Sequence, residues 1–383
     1  MNILFLDCTQ NYGYKFSAAN TKVEFLAKGL QQLGNNCIVH NGLVGNPSLK
    51  CKVIKQISGI GNIITYPKKT NQFISWIINL PQLIIDLKRL YKQDEKNIII
   101  LEAPDYHLYL VYVLFARIFK YKIIVISHEW TTTVTSTHFL RKPSTFLYAS
   151  TFGYFADGIL PISEFIIKKI QHFKKPFIKI PITAEYNQVK PKNISDKKYF
   201  LYCVYIVYKR TIIPIIDAYN DFQKDYYKKD IQLVLVLSGN PQQISDVQKY
   251  INQIGQNSNI IIKTKVPFKE LMDLYSKALA LIIPLDPQSR QDEARFSQKI
   301  AEYLSSGTPI ISNNVGEIKY YFEDKKNIIL SNYSIKGFVD TFKWVAGHPD
   351  EVKQIGLNGF YLGKQKFDYR KLSKDLNTFL QNI

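Results

Sequence analysis

The stretch Asp292–Gly316, which reads DEARFSQKIAEYLSSGTPIISNNVG, organises the prediction for the whole chain. Residues at helical spacing within it are Phe296, Lys299, Ile300, Tyr303 and Leu304. Gly307 ends the predicted helix, because glycine readily adopts the left-handed backbone of a helix stop. A short buried strand, Ile310-Ile311, follows and leads into a loop that ends at Gly316. A loop, helix, strand and loop in this order predict an α/β fold with a ligand site at the carboxyl end of the strand.

One face of that helix carries a charged pair. Lys299 lies one turn before Glu302, so the two side chains share a face. A carboxylate can accept hydrogen bonds from both hydroxyls of a ribose, and an ammonium or a helix N-terminus can hold a phosphate. An ordinary amphipathic helix explains the apolar positions but not the charged face or the glycine loop. The pair therefore predicts a nucleotide site.

The segment FSQKIAEYLSSGTPIISNNVGEI resembles the donor-binding segment of GT-B glycosyltransferases. The closest likeness is to the retaining glycosyltransferase family 4 of the bacterial surface-glycan type. Glu302 matches the family's second Glu, which binds the nucleotide ribose. Phe296, Lys299, Glu302 and Tyr303 fit the family variant Phe-x-x-Lys-x-x-Glu-Tyr without a gap. The chain departs from the family pattern at Ala294, where the first Glu would fall, with Glu293 one place away.

The resemblance implies a fold and a domain organisation. A chain of 383 residues is long for a single core, so two domains are expected. The expected GT-B fold has two Rossmann-like domains facing each other across a cleft, with a C-terminal helix that crosses back to the first domain. The predicted parts are an acceptor domain 1–185, a linker 186–198, a nucleotide-sugar-binding domain 199–364 and a crossover helix 365–383.

The chain opens in a Rossmann-like manner, because the strand-like Asn2–Asp7 is followed by a loop, a helix and a second strand. The closely spaced glycines of a dinucleotide fingerprint are missing. No signal peptide is expected, since strand-like sequence begins at once. The resemblance implies that the first loop faces the acceptor, through Asn11, Gly13 and Lys15. A plain turn glycine is an equally good explanation for Gly13.

A histidine follows a later strand. Lys122–Ser127 is strand-like, and His128 comes directly after it, where α/β folds place functional groups. The resemblance implies that His128 lies close to the donor sugar and takes part in catalysis. The alternative is a histidine that caps the strand.

Cations introduce the first helix of the second domain. Lys209 and Arg210 precede the predicted helix Ile212–Phe222, and cations at a helix N-terminus suit a diphosphate. The family usually has a glycine near Val204, which is a second departure. Lys209 and Lys299 are predicted catalytic cations. The predicted donor-binding residues are Arg210, Arg295, Phe296, Ser297, Glu302, Gly316 and Val266, the last through main-chain contacts to the base.

The charge pattern bears on cofactors and partners. The sequence contains no Asp-x-Asp, so no metal–diphosphate clamp and no cofactor are expected. The net charge is +19, and residues 1–190 hold 23 Lys and Arg against 11 Asp and Glu. A basic surface attracts anions. No zinc-finger, RNA-recognition or helix-turn-helix signature is present, so nucleic acid is not an expected partner.

The basic and aromatic stretch Tyr66–Tyr91 has apolar stripes on both sides of Pro81 and cations at both ends. It fits an interfacial membrane helix, and it also fits a crossover helix packed on the sheet. The four cysteines are scattered, which indicates reduced thiols. No apolar run approaches the roughly 20 residues of a membrane span. The expected location is cytoplasmic, with peripheral contact to the inner face of the membrane and an anionic membrane surface as a partner.

The resulting hypothesis is a retaining, metal-independent transfer of sugar from a nucleotide-sugar to a hydroxyl acceptor. The expected acceptor is a growing surface polysaccharide or its lipid carrier. A sugar-nucleotide epimerase is one alternative, and it would show an acid–base cluster. A non-catalytic GT-B partner subunit of an active transferase is another, for which Val204 and Ala294 are the arguments.

Overall fold

The protein divides into two compact units in a computed structural model. The structure describes residues 1–9, 12–14, 17–57, 59–69, 71–102, 105–134, 141–187, 198–225, 231–255 and 259–383. The first unit comprises Met1–Glu185, Ala294–Gln298 and Phe367–Ile383, and the second comprises Tyr186–Glu293 and Lys299–Lys366. The predicted linker 186–198 falls largely on residues 188–197, which lie outside the described ranges.

Seven strands form the sheet of the first unit within the described residues. They are β1 Asn2–Leu6, β2 Asn36–His40, β3 Val53–Ile57, β4 Gly61–Thr65, β5 Asn97–Leu101, β6 Lys122–Ser127 and β7 Gly158–Pro161. Their order is β3-β4-β2-β1-β5-β6-β7, and every neighbouring pair is parallel except the β3–β4 hairpin. The strands β1, β5 and β6 are almost wholly buried, as expected for parallel strands covered on both faces.

In the described ranges, five α-helices of the first unit connect these strands or follow β7. They are α1 Ala18–Gln32, α2 Gln72–Leu90, α3 Tyr106–Ile118, α4 Lys142–Phe155 and α5 Glu164–Ile170. The hydroxyl of Ser17 caps α1 by accepting the N–H of Asn20. The sequence did not predict α4 or the β3–β4 hairpin. The helix α2 runs without a break through Pro81, so the Tyr66–Tyr91 stretch does contain a crossover helix.

The second unit has an all-parallel sheet of six strands in its described part, in the order β10-β9-β8-β11-β12-β13. The strands are β8 Tyr199–Tyr205, β9 Gln232–Ser238, β10 Ile260–Thr264, β11 Ala280–Ile283, β12 Ile310–Ser312 and β13 Ile329–Leu330. The helices that follow β8 to β11 are α6 Lys209–Asp225, α7 Pro241–Gln253, α8 Phe268–Lys277, α9 Arg290–Ala294 and α10 Gln298–Ser305. The later helices are α11 Ile318–Tyr321, α12 Ile335–Gly347 and α13 Pro349–Lys366. The prediction of one helix that includes Phe296 is wrong, because Phe296 lies in the turn between α9 and α10.

The last helix, α14 Tyr369–Asn382, belongs to the first unit. Its Leu376 and Leu380 share a buried core with Val23 and Leu26 of α1. The hydroxyl of Ser373 donates to the carbonyl oxygen of Leu26 at 3.4 Å. The predicted return of the C-terminal helix to the first domain is therefore confirmed.

Candidate active site

The strand order of the second unit reverses between β8 and β11, which are neighbours in the sheet although β9 and β10 separate them in the chain. Open α/β sheets bind ligands at such a switch point, outside the carboxyl ends of the strands. The segment after β8 leads into Lys209 and α6, and the segment after β11 leads into α9. The predicted donor-site residues Lys209 and Arg210 therefore lie beside this switch point.

Arg210 ties these two segments together. Its Nη2 donates to Ser289 Oγ at 2.9 Å and to Asp292 Oδ2 at 3.0 Å, and its Nη1 lies 3.5 Å from Asp286 Oδ2. Two carboxylates thus offset the charge of the guanidinium, and its donor-binding role stays a prediction. Lys209 is exposed and has no ion-pair partner in the part of the chain that the structure describes. Lys209 is therefore the more available cation for a diphosphate.

Glu302 is a buried carboxylate on α10, only 5% exposed. Across the described ranges, its two carboxylate oxygens accept no hydrogen bond, and only its carbonyl oxygen does, from Ser305 Oγ. Burial raises the pKa of Glu302 to about 7, and the positive charge of Lys299 opposes that rise. The half-buried Lys299 likewise has no ion-pair partner among the residues described. The predicted pair is therefore present, and neither side chain forms a hydrogen bond or ion pair with another described residue.

The helix α10 is fixed against the end of β8. The N–H of Cys203 donates to the hydroxyl of Tyr303 at 3.2 Å, and the Tyr303 ring meets Tyr275 edge-on at 4.7 Å. Burial raises the pKa of the Cys203 thiol, while Lys299 lowers it and Glu302 raises it. The charged pair therefore acts electrostatically on the carboxyl end of β8. Val204, the family's glycine position, is 4% exposed in the core of the unit.

The loop after β12 requires glycine at position 316. Gly316 has φ of +57°, and an added Cβ would lie 2.8 Å from the carbonyl oxygen of Asp292 in α9. The positive φ and the nearby carbonyl oxygen both disfavour any residue with a side chain at this position. Asn313 holds the same loop, since its Oδ1 accepts the N–H of Leu285 at 2.9 Å and its Nδ2 donates to the carbonyl oxygen of Ser331 at 2.7 Å. These contacts hold the loop in place where the sequence predicts a donor contact.

Val266 lies in the segment between β10 and α8. It follows Lys265, whose φ is +54°, and precedes Pro267, the residue at the start of α8. The side chain of Val266 is half-buried. Its predicted main-chain contact to the base stays a prediction.

Three predicted donor residues belong to the first unit instead: Arg295, Phe296 and Ser297. The carbonyl oxygen of Ala294 accepts the hydroxyl of Ser163 at 2.6 Å. Phe296 is 4% exposed and packs edge-on against Phe367 at 5.6 Å. Packing within the first unit therefore accounts for the aromatic side chain of Phe296, and the donor roles of all three residues stay predictions.

The first unit has its own switch point, between β1 and β5. Glu102 follows β5, and His128 follows the adjacent strand β6. His128 Nδ1 lies 2.6 Å from Glu102 Oε2, and the backbone N–H of His128 donates to Glu102 Oε1 at 3.3 Å. An ionised carboxylate only accepts, so Nδ1 carries the proton, and in the neutral tautomer of the ring Nε2 is an acceptor. That Nε2 is buried and has no hydrogen-bond partner in the described residues.

Asp7, at the end of β1, is a site residue that the sequence did not single out. Burial raises its pKa to about 8, the hydrogen bond from Tyr112 lowers it, and the charges of Asp105 and Glu102 raise it further. The Tyr112 hydroxyl donates to Asp7 Oδ2 at 3.0 Å. Asp7 is therefore mostly protonated at neutral pH. Its backbone φ of +56° is an unusual value for a non-glycine residue and is typical of functional loops.

Lys22 on α1 is a buried charged group of the first unit. Its Nζ donates to the carbonyl oxygen of Ile180 at 2.7 Å. Burial lowers the pKa of Lys22 to about 7, while the charge of Glu102 raises it.

The sequence signal that could have indicated Glu102 and Asp7 was their position directly after two adjacent parallel strands.

The predicted acceptor loop is described in part. Gly13 has φ of +87°, which favours glycine, and it follows Tyr12, whose N–H donates to Asn41 Oδ1 at 2.8 Å. Asn11 and Lys15 lie outside the described residues.

No group of three or more His, Cys, Asp or Glu side chains within the described ranges could hold a metal ion. The absence of a metal cofactor stays a prediction.

We expect the buried carboxyl of Glu302 to make folding stability pH-dependent. Between about pH 4.5 and pH 7 the folded chain retains a proton that an unfolded glutamate has lost. The free energy of unfolding should therefore fall as pH rises through this window, by about 3 kcal/mol in total, and then level off. Glu302→Gln removes this contribution. In urea unfolding, the variant should match the wild type near pH 5 and exceed it at pH 8, and a difference independent of pH would contradict the burial.

Known proteins resemble this chain in fold over its whole length. Sucrose-phosphate synthase from Thermosynechococcus elongatus superposes with a TM-score of 0.77 at 14% identity, covering 99% of this chain and 98% of that one. The Anabaena protein HepE, solved with UDP and glucose, gives a TM-score of 0.75 at 11% identity, covering 100% and 99%. The chain therefore has the GT-B fold, and the predicted fold class is confirmed.

A match to a known family covers much of the second half of the sequence. Residues 185–360 match the family described as "Glycosyl transferases group 1". This part of the chain is similar to a glycosyltransferase group 1 domain, and the match supports the predicted enzyme class. The Dictyostelium discoideum protein "Alpha-1,3/1,6-mannosyltransferase ALG2" is 22% identical over 212 residues, which are 52% of this chain and 49% of the relative. The chain thus spans about half the length of this curated relative.

Proposed function

We propose that this protein transfers a sugar from a nucleotide-sugar to a hydroxyl acceptor, with retention of anomeric configuration and without a metal ion. The observation that carries the proposal is the buried, unpartnered carboxylate of Glu302 beside Lys299, in the part of the chain that is similar to a glycosyltransferase group 1 domain. Burying an ionised carboxylate without hydrogen bonds is costly. The two hydroxyls of a ribose supply the missing hydrogen bonds, so donor binding favours the ionised form.

The transfer step follows from the proposed donor. The bond between the anomeric carbon and the diphosphate oxygen breaks, and its electron pair leaves with the diphosphate. The acceptor hydroxyl oxygen bonds to the anomeric carbon from the same face, and its proton passes to an oxygen of the departing phosphate. No covalent sugar–enzyme intermediate is needed. Lys299 and Lys209 stabilise the negative charge that develops on the diphosphate.

The proposed role of His128 is to orient the donor sugar. Glu102 holds the ring with Nδ1 protonated, so Nε2 can accept a hydrogen bond from a sugar hydroxyl. A histidine ring that is already held in one orientation loses less conformational entropy on binding than a ring that rotates freely. Glu102 thus acts as a positioning residue through His128.

The acceptor and the location are also proposals. We take the acceptor to be a growing surface polysaccharide or its lipid carrier, and the location to be cytoplasmic at the inner face of the membrane. HepE was solved with UDP, so UDP-sugars are the first donors to test. Among the described residues, no helix is both long enough and apolar enough to span a bilayer.

A second candidate function rests on the acid–base groups of the first unit. Asp7, Glu102 and His128 lie at the carboxyl ends of β1, β5 and β6, and burial raises the pKa of Asp7 to about 8. A sugar-nucleotide epimerase requires such groups to remove and return a proton. An epimerase would change the donor without any acceptor, which a transferase does not do.

One experiment separates these functions. Purified protein is screened by thermal shift against UDP-, GDP- and dTDP-sugars, because a ligand of the folded state raises the melting temperature. The sugar that binds is then incubated with and without a hydroxyl acceptor and followed by NMR. Transfer with an unchanged anomeric configuration, also in the presence of EDTA, supports the proposal. Conversion of the donor without acceptor supports the epimerase, and binding without turnover supports a non-catalytic subunit.

A further inference from the structure

The helix α2 of the first unit is partly inverted in polarity: it buries Leu83 and Leu87, but the other three of its five buried side chains are polar. Its buried side chains include Ser75, Asn79 and Asp86, with exposed fractions of 0%, 4% and 3%. Its exposed side chains include five large apolar ones, between 46% and 61% exposed: Phe73, Ile74, Ile77, Ile78 and Ile85. A helix that covers a sheet normally shows the opposite pattern. The outward apolar stripe of α2 is therefore not explained by packing within the unit.

The buried polar side chains of α2 have structural partners. Asn79 Nδ2 donates to the carbonyl oxygens of Leu43 at 3.1 Å and Pro67 at 3.0 Å. Asp86 accepts the hydroxyl of Tyr66 at 2.6 Å and pairs with Lys52. These contacts fix which side of α2 faces the protein. The apolar stripe is consequently held outward.

The neighbouring helices extend this surface. The helix α3 contacts both α2 and α4. It exposes Leu110, Leu114 and Ile118 at intervals of four residues, and α4 exposes Phe146, Leu147, Tyr154 and Phe155. We call the exposed apolar side chains of α2, α3 and α4 the outer helical face. This face holds twelve of the twenty-two exposed large apolar side chains in the described part of the chain, which is a concentration typical of an interaction surface.

The charges at the outer helical face have one sign. The three helices contain a single acidic residue, the buried and paired Asp86. Exposed cations lie at the helix ends: Lys88 and Arg89 in α2, Lys120 after α3 and Lys142 in α4. A partner for this face must therefore accept apolar side chains and carry negative charge.

We propose that the outer helical face docks on the surface of an anionic lipid bilayer. A bilayer offers both features at once, because acyl chains accept the isoleucines and phenylalanines while anionic headgroups pair with the cations. A second copy of this chain fits less well, since a two-fold contact would set the same cations against each other with no exposed carboxylate on the face. This docking goes beyond the proposed sugar transfer and does not depend on it.

The test is flotation of the full chain with phosphatidylcholine vesicles, with and without 30% phosphatidylglycerol. We expect binding to the anionic vesicles, weakened but not abolished by salt, since salt screens the cations and leaves the apolar contacts. Lys88→Ser with Arg89→Ser should lower the binding constant roughly 25-fold, at about fivefold per cation. Ile74→Ser, Ile77→Ser and Ile78→Ser together should lower it on the order of tenfold or more, at any salt concentration.

Matched controls come from exposed residues of the second unit. Tyr320→Ser with Tyr361→Ser removes apolar area, and Lys336→Ser with Lys353→Ser removes two charges. Both should bind vesicles like the wild type, and every variant should keep its melting temperature. Equal loss in controls and test variants would overturn the proposal, as would a wild type that stays unbound at low salt. So would self-association that the three isoleucine substitutions abolish, because the face would then join two copies. Donor binding, measured on the same samples without lipid, reports separately on the proposed transfer.

Discussion

Replacing Glu302 by alanine is expected to weaken binding of the nucleotide-sugar roughly 10- to 150-fold, because charge-assisted hydrogen bonds to two hydroxyls are lost. Folding should survive, since no described group depends on this carboxylate for a hydrogen bond. Removing a buried and unpartnered acid relieves a desolvation cost, so the melting temperature should stay level or rise at pH 8. Isothermal titration with the donor found by thermal shift measures the effect.

Two further variants sharpen that experiment. Glu302→Gln keeps the shape and one acceptor oxygen, so it should bind the donor with an affinity between those of the wild type and Glu302→Ala. Glu351→Ala, at an exposed position on α13, removes one negative charge elsewhere in the same unit and should bind normally. An unchanged donor affinity in Glu302→Ala would remove the ribose assignment, whatever the activity of the chain.

Buried parallel strands were the elements that the sequence predicted best. The bounds of β6, Lys122–Ser127, agree with the prediction to the residue. A strand covered on both faces is a continuous apolar run between polar turns, so its ends are visible in the sequence. The hairpin strand β3, Val53–Ile57, lies at the sheet edge and exposes Ile54, Lys55 and Gln56. Such a strand has no regular alternation of polar and apolar residues, and it was therefore not predicted.

The helix α2 shows a different limit. Its periodicity predicts a helix, but periodicity alone does not say which face the protein covers. The burial of Asn79 depends on the carbonyl oxygens of Leu43 and Pro67, which lie in the segments that follow β2 and β4. Only the three-dimensional structure brings these partners together. The outward apolar stripe could not be inferred from spacing.

In the candidate site, too, contacts between residues close in sequence were predictable and contacts between distant residues were not. Lys299 and Glu302 are three residues apart on one helix, so their shared face was predictable. The contact between Glu102 and His128 joins residues 26 positions apart, and it exists because β5 and β6 are adjacent. The partners of Arg210 lie 76 to 82 residues away. A motif therefore located this cation but could not show that carboxylates offset its charge.

Replacing the unpartnered cations should affect the rate more than donor binding. The diphosphate gains negative charge as the glycosidic bond breaks, so a cation beside it stabilises the transition state more than the bound donor. Lys299→Ala should lower kcat about 100- to 1,000-fold, as expected for the loss of one such group. Lys209→Ala should cost less, about tenfold, because Lys209 is exposed and water screens its charge, whereas Lys299 is half-buried.

Steady-state kinetics of these variants test the metal-free mechanism directly. Lys336→Ala, an exposed cation on α12, serves as the control and should keep full activity. Lys299→Ala should lower kcat with only a small change in the donor dissociation constant, which is the reverse of the pattern expected for Glu302→Ala. A larger effect at Lys209 than at Lys299 would mean that burial does not strengthen the charge. If wild-type turnover required added magnesium, a metal ion rather than these lysines would carry the diphosphate charge, because both would compete for the same phosphate oxygens.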